Sequence, residues 1–153
     1  MKVKLLFIIL ILFLCGCSKN SSMTHEHCIR HGNAGEDIDV QLNYDIYYTG
    51  DILNKLESVE QVNTDKQDVL DLYENAYKEI HSRYKNLEYY TAIVEREENS
   101  VSSKITILYD KIDIDKLISI EGEEDNIFEN NIPLVSKWKD LAKKLGASCS
   151  IAE

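Results

Sequence analysis

The clearest pattern in the chain is an alternation of apolar and polar residues over residues 37–48. The apolar residues occupy every second position and are Ile38, Val40, Leu42, Tyr44, Ile46 and Tyr48. Because successive side chains of a strand point to opposite faces, this pattern predicts a half-buried strand. Thr49-Gly50-Asp51 predicts a tight hairpin turn. A second strand follows over residues 52–62, and its weaker alternation is typical of a twisted strand or one near an edge.

Beyond this hairpin, the pattern predicts two helices and a second hairpin. The first helix, over residues 64–85, has one apolar face formed by Val69, Leu72, Tyr73, Ala76, Tyr77, Ile80 and Tyr84. The later elements are strands over 87–97 and 101–110, a short helical turn over 113–118, an acidic loop over 121–131, a helix from Pro133 and a short terminal strand over 148–152. The main order is therefore β-β-α-β-β-α. It predicts a two-layer α+β sandwich, with an antiparallel sheet and helices on one face.

Residues 1–17 have the build of a bacterial secretion signal. Two lysines precede an unbroken apolar run over residues 5–14, and the ending Leu14-Cys15-Gly16-Cys17 resembles the lipobox of bacterial lipoproteins. This resemblance implies that residues 1–16 are removed and that Cys17 carries acyl chains. The apolar run is about half of the roughly 20 residues that a membrane-spanning helix needs. A transmembrane anchor and a secreted protein without lipid are the two alternatives.

The mature chain is predicted to consist of a tether and one domain. Residues 17–27 form a lipidated, flexible tether, and residues 28–153 form a single α+β domain. The net charge is −10, and removal of Lys2 and Lys4 takes it to −12. Because an acidic surface repels phosphate groups, we expect no nucleic-acid partner and a domain that stands away from anionic lipid.

Two cysteines remain for the domain once Cys15 has left and Cys17 is acylated. Two cysteines in an exported protein are usually joined, so we predict a disulfide between Cys28 and Cys149. The chain-entropy relation gives roughly 4–5 kcal/mol for a loop of about 120 residues. Two buried free thiols are the alternative.

Several segments without a catalytic signature carry a family resemblance. They are the lipobox at Cys17, Tyr47-Tyr48-Thr49-Gly50-Asp51, Tyr84-Lys85-Asn86-Leu87, the strand Ile105-Thr106-Ile107-Leu108-Tyr109-Asp110 followed by Ile114-Asp115-Lys116-Leu117, and Leu141-Ala142-Lys143-Lys144-Leu145-Gly146. With these segments the chain resembles the YehR-like family of small bacterial lipoproteins. The resemblance implies an α+β domain tethered to the envelope, with no established activity.

A cluster of metal-ligand residue types lies where the predicted tether ends and the domain begins. It consists of His25, Glu26, His27, Cys28 and His31. Imidazole nitrogens and thiolates are ligands that bind zinc or copper. A helix would align His27 with His31, and a strand would align His25 with His27, so we expect no single conformation to present the whole set. The alternative is a flexible junction whose Cys28 is used in the disulfide.

Enzyme motifs are missing from the chain. It has no Gly-x-Ser-x-Gly elbow, no His-Glu-x-x-His and no glycine-rich phosphate loop, so we predict neither an enzyme nor a cofactor. His81 is expected on the surface of the first helix. Tyr47 and Tyr90 are expected opposite the main apolar face, where they would form an aromatic patch if their strands were neighbours. Ordinary core filling by tyrosine is the alternative.

These observations predict a lipid-anchored protein on the extracytoplasmic face of the cell membrane. Its role would be non-catalytic binding or assembly, with an envelope protein or a small ligand as partner. The alternative is a metal-binding lipoprotein that uses His25, His27 and His31.

Overall fold

A six-stranded antiparallel sheet dominates the computed structural model, which describes residues 22–122 and 127–152. The predicted signal segment and Cys17 lie outside these residues. The strands are β1 Thr24–Gly35, β2 Ile38–Thr49, β3 Ile52–Asn63, β4 Tyr90–Arg96, β5 Ser100–Leu108, β6 Phe128–Glu129, β7 Ile132–Pro133 and β8 Ser148–Ile151. The helices are α1 Gln67–Ser82, α2 Ile114–Glu121 and α3 Val135–Lys144. The order in the large sheet is β4-β5-β3-β2-β1-β8, while β6 and β7 form a small separate hairpin.

The alternation in β2 gives the sheet two different faces. The register extends the apolar side across the sheet, because Ile46 pairs with Leu56 of β3, and Leu56 pairs with Ile107 of β5. All three side chains are buried, and each such burial contributes about 1.5–3 kcal/mol. We call this side the covered face, because the described helices pack on it. The other side, with Asp45 and Tyr47, is the open face.

Two apolar clusters share the covered face. The larger includes Ile46 and Leu56 of the sheet together with Leu117 of α2 and Trp138 of α3. The smaller lies under α1, and its buried members are Val62, Leu70, Tyr77 and Val101. The helices thus cover different parts of one face.

The turn between β2 and β3 holds the start of α3. The Asp51 carboxylate accepts hydrogen bonds from the Ser136 backbone amide at 2.8 Å and from the Ser136 hydroxyl at 2.7 Å. A negative charge at a helix N-terminus is favourable. The predicted hairpin turn is present, with Gly50 at a φ of 63°.

The α+β class and the antiparallel sheet are confirmed, but the predicted element order is incomplete. β1 and the β6–β7 hairpin add strands to the β-β-α-β-β-α order, and α2 is a third helix rather than a short turn. β1 begins at Thr24, four residues before the predicted start of the domain. Residues 24–27, predicted as tether, therefore pair with β2.

Of the two alternatives for β3, a twisted strand or one near an edge, the edge position is wrong, because β3 is a central strand. Its register with β2 shifts between Tyr47 and Tyr48, which leaves Asn54 as an extra residue. This bulge lets Leu53 and Leu56 both face the core, although they are three residues apart. Glu60 interrupts the apolar alternation on the covered face, so the sequence pattern is weak despite the central position.

Two helix boundaries and one helix face also differ from prediction. Pro133 does not begin α3 but pairs with Phe128, because Asn130 and Asn131, with φ of 50° and 62°, form a tight turn there. In α1, which begins at Gln67, the buried residues are Leu70 and Tyr77. Others of its predicted apolar face, including Leu72 at 68% and Ile80 at 44% relative exposure, remain exposed.

The predicted disulfide is present and joins β1 to β8. Cys28 and Cys149 are direct partners in the register of the two strands, with Cα atoms 4.0 Å apart. Cys28 is fully buried on the covered face, whereas β8 is exposed. The bond therefore attaches a short exposed edge strand to the core.

A buried carboxylate links β1 to α3. Glu26, 6% exposed, accepts hydrogen bonds from the Lys139 ammonium at 2.8 Å and from the Tyr48 hydroxyl. Burial alone would raise the pKa of Glu26, but Lys139 and Tyr48 outweigh it and the pKa is lowered. The hydrogen bond from the Tyr48 hydroxyl to Glu26, together with burial, raises the pKa of Tyr48 to about 12.

Replacing both Cys28 and Cys149 by serine should lower the free energy of unfolding by about 4 kcal/mol. The reason is that the unfolded chain regains the conformational entropy that the disulfide removes by closing a loop between residues 121 positions apart. Urea denaturation of the oxidised protein and the double variant measures the loss. Reductant should destabilise the wild type and leave the variant unchanged. Equal stability of the two oxidised proteins would contradict the prediction.

Replacing Glu26 by glutamine should lower the free energy of unfolding by about 1–3 kcal/mol near neutral pH, because Lys139 loses its charged partner. Since the folded-state pKa of Glu26 is lowered, its stabilisation is present above the ordinary value of 4.5 and is lost as the pH falls through the folded-state pKa. Urea denaturation at about pH 7 and about pH 3 should therefore show a deficit that shrinks in acid. A deficit of the same size at both pH values would show that the charge is not responsible.

Candidate functional site

A cleft opens on the covered face beside α1, above β1, β2 and β3. Its volume is about 290 Å³, and its lining includes Arg30, Val40, Leu42, Glu60 and Tyr73. The strand register builds its floor, because Arg30 pairs with Leu42 and Leu42 pairs with Glu60. These side chains form one row across three strands, between the two apolar clusters.

Arg30 and Glu60 bring opposite charges to this floor. Neither forms an ion pair with another of the residues that the structure describes. With one strand between them, their Cα atoms are about 10 Å apart, twice the spacing of neighbouring strands. A half-buried charge without a partner is costly, and a ligand group of opposite charge removes that cost. The cleft thus offers one anion-binding and one cation-binding group.

Tyrosines surround the charged row. Tyr44 lies next to it on β2 and contacts Trp138 edge-on, with ring centroids 5.3 Å apart. Tyr73 and Tyr77 of α1 lie on the other side, 6.0 Å apart. The Tyr77 hydroxyl is buried and lies close to the Glu60 carboxylate.

The tyrosine hydroxyls near Glu60 stay protonated. Burial first, and then the charge and hydrogen bonding of the Glu60 carboxylate, raise the pKa of Tyr77. Burial and the charge of Glu60 also raise the pKa of Tyr44, against a smaller opposing effect of Arg30. Because a protonated phenol can donate, each hydroxyl remains available as a hydrogen-bond donor.

The three histidines of the predicted metal cluster lie on the open face of β1. All are at odd-numbered positions, so the strand presents the three histidines on one side, while Glu26 and Cys28 of the same set point to the other. Asp45 of β2 joins two of them: its Oδ1 lies 2.8 Å from His25 Nε2 and 3.1 Å from His27 Nδ1. His31 pairs with Gln41, about 13 Å along the strand from His27.

The pairing with two imidazoles affects the Asp45 carboxyl. Burial would raise its pKa, but the hydrogen bonds and charges of His25 and His27 outweigh burial, and the pKa of Asp45 is lowered. Each of the three side chains is about one-third exposed, so the group is accessible from solvent.

The other members of the predicted cluster face the opposite side of the sheet. Glu26, Cys28 and Cys149 are the one trio within the described ranges whose metal-ligand atoms lie within 4.8 Å of one another. Both sulfur atoms belong to the disulfide, and metal binding by cysteine requires a free thiolate. This trio is therefore a structural junction and not a metal centre.

The predicted aromatic patch of Tyr47 and Tyr90 does not form. Their strands are separated by β3 and β5, and Tyr90 stacks on Tyr84 on the covered face with centroids 4.3 Å apart. Tyr47 stacks on His25 instead. His81, expected on the surface, lies 3.0 Å from the Ser103 hydroxyl, and burial lowers its pKa.

Sequence reasoning did not identify Arg30, Glu60 or Asp45 as site residues. Glu60 had a visible signal, because a charged residue occupies an apolar position of an alternating strand. Arg30 and Asp45 had no comparable signal, since their importance depends on the pairing of β1 with β2.

No family model matches the chain, and no curated protein sequence matches it. The fold is similar to the NMR structure of the Escherichia coli YehR protein, with a TM-score of 0.57 and 17% identity over 88% of this chain and 95% of that chain. It is also similar to the NMR structure of a protein from Streptococcus pneumoniae TIGR4, with a TM-score of 0.54 and 9% identity over 87% of this chain and 88% of that one. At these identities the similarity shows the fold alone. The resemblance noted in the sequence therefore corresponds to a YehR-like fold.

Proposed function

We propose that this chain is a lipid-anchored envelope protein whose domain binds a small ligand in the cleft on the covered face. The proposed anchor is Cys17, and the domain lies on the extracytoplasmic side. The cleft carries the binding proposal, because Arg30 and Glu60 line it as opposite charges without ion-pair partners among the described residues. Binding without catalysis agrees with the absence of catalytic motifs from the sequence.

The charges favour a small zwitterion as the ligand. An anionic group such as a carboxylate would bind the Arg30 guanidinium, which holds planar anions through paired hydrogen bonds. An amine would bind the Glu60 carboxylate. The volume of about 290 Å³ lies at the lower end of the range for small-molecule sites, which suits a ligand of amino-acid or dipeptide size.

The aromatic groups support the same ligand class. Tyr73 lines the cleft, and a tyrosine face attracts an ammonium group. The buried Tyr77 hydroxyl lies near Glu60, and burial together with that carboxylate raises its pKa, so it stays protonated. This hydroxyl therefore marks the Glu60 end of the cleft.

The sequence of the anchor and the charge of the domain are consistent with the proposed location. No helix in residues 22–122 and 127–152 is both long and apolar enough to cross a bilayer. The proposed attachment rests on the lipobox-like sequence that ends at Cys17, and more than one acyl chain makes such attachment stable. The net negative charge favours a domain held by its lipid rather than by anionic headgroups.

Replacing Cys17 by serine should release the protein from the membrane fraction, whereas wild-type protein should remain there and carry acyl mass. Replacing Cys15 by serine is the matched control, because Cys15 leaves with the signal segment and should not affect anchoring. Fractionation and mass spectrometry of the three proteins measure this. Mature wild-type protein without acyl mass would refute the anchor.

Binding in the cleft should require both charged residues. We expect at least one member of a panel of free amino acids and dipeptides to bind in calorimetry. Arg30→Gln and Glu60→Gln should each weaken that binding about tenfold or more, because a charge-assisted hydrogen bond is worth about 1.5–3 kcal/mol. Arg83→Gln is the control for Arg30, since Arg83 is exposed at the end of α1.

Two outcomes would reject the zwitterion proposal. One is the absence of binding by every member of the panel. The other is equal binding by the wild type and the Arg30→Gln variant.

A further inference from the structure

His25, His27 and Asp45 are neighbours on the open face, away from the cleft, although their three ligand atoms do not all lie within 4.8 Å of one another. One carboxylate oxygen of Asp45 lies within 3.1 Å of a ring nitrogen from each histidine. The backbone creates this arrangement, because Asp45 pairs directly with His27, and His25 is two positions earlier on the same side of β1. The group therefore draws on both strands of the β1–β2 hairpin.

We propose that His25, His27 and Asp45 bind a divalent transition-metal ion of the Zn²⁺ class. Two imidazole nitrogens and one carboxylate oxygen are borderline ligands that suit such an ion, and sites with three protein ligands keep a further position for water. This site is distinct from the cleft proposed above.

The present contacts are hydrogen bonds, and the metal would replace them. Each ring nitrogen now faces the Asp45 oxygen, which requires a proton between them. A Zn²⁺ ion binds these ligand types at about 2.0–2.2 Å, so the three side chains must rotate to surround it. Each is about one-third exposed on a fixed strand, so side-chain rotation requires no backbone movement. When the metal takes one ring nitrogen, the ring proton moves to the other nitrogen of a neutral imidazole or leaves an imidazolium for solvent.

Tyr47, Glu57 and Lys55 surround the site on the open face. The Tyr47 ring stacks on the His25 ring, with centroids 4.3 Å apart and planes 7° apart, so that the imidazole must slide along or leave the Tyr47 ring when it turns toward a metal. Glu57 of β3 pairs with Asp45 and places a second carboxylate beside the group. The Lys55 ammonium lies 3.0 Å from Glu57 and would compete with a metal for that carboxylate.

The geometry separates His31 from the other histidines. It is on the same face, but it pairs with Gln41 and lies about 13 Å from His27 along the strand. That distance is several times a metal–ligand bond length. The site proposed here therefore consists of two histidines and one carboxylate, and His31 becomes a matched control.

The test is calorimetric titration of zinc chloride into the full-length protein, purified in detergent without a histidine tag. We expect one zinc ion per chain and binding that weakens as the pH falls, because protons compete with the metal for the imidazole and carboxylate ligand atoms. His25→Ala and His27→Ala should each weaken binding about tenfold or more, and Asp45→Asn should also weaken it. His31→Ala should change the affinity by less than about twofold.

Visible absorption of the Co²⁺-loaded protein gives a second measurement. The spectrum should change in His25→Ala and His27→Ala but not in His31→Ala, and thermal unfolding without metal establishes that each variant is folded. No zinc binding by the wild type, or an equal loss in His31→Ala, would overturn the site. Arg30→Gln should bind zinc normally, so failure of the cleft proposal and failure of the metal site are distinguishable.

Discussion

The antiparallel register of β1, β2 and β3 is the constraint on which the two proposed sites depend. Each of these strands has twelve residues, and their side chains alternate between the covered and the open face. A shift of one residue would exchange the faces, so that Arg30 would leave the cleft and His27 would point into the core. The extra residue Asn54 shifts the alternation of β3 by one position, so that Leu53 and Leu56 both face the core.

The register of β1 is reinforced where the sheet is weakest. β1 has the long β2 on one side but only the four-residue β8 on the other. Cys28 joins it covalently to β8, and Glu26 joins it to Lys139 of α3. Both links start from neighbouring covered-face positions, so they hold the same side of β1. A carboxylate alone would be costly there, but two donors offset its burial.

Sequence reasoning identified β2 because that strand packs apolar side chains on one face. It missed β1 because the covered-face residues of β1 are Glu26, Cys28, Arg30 and Gly32, which form a salt bridge, a disulfide and the wall of a cleft. A strand whose inward-facing residues are charged, disulfide-bonded or glycine has no apolar alternation to detect. The sites could not be predicted either, because Asp45 lies beside His25 and His27 only when β1 and β2 are paired.

The net charge of the chain constrains what the two proposed sites can bind. A domain with a strongly negative charge repels a simple anion before it reaches Arg30 and attracts a cation. An anion bound at Arg30 would also lie on the same face as the Glu60 carboxylate. A zwitterion meets neither difficulty, since its cationic end offsets the repulsion and pairs with Glu60. On the open face, the net negative charge of the domain favours a divalent cation. The same net charge is therefore compatible with both proposed ligands, on opposite faces of the same strands.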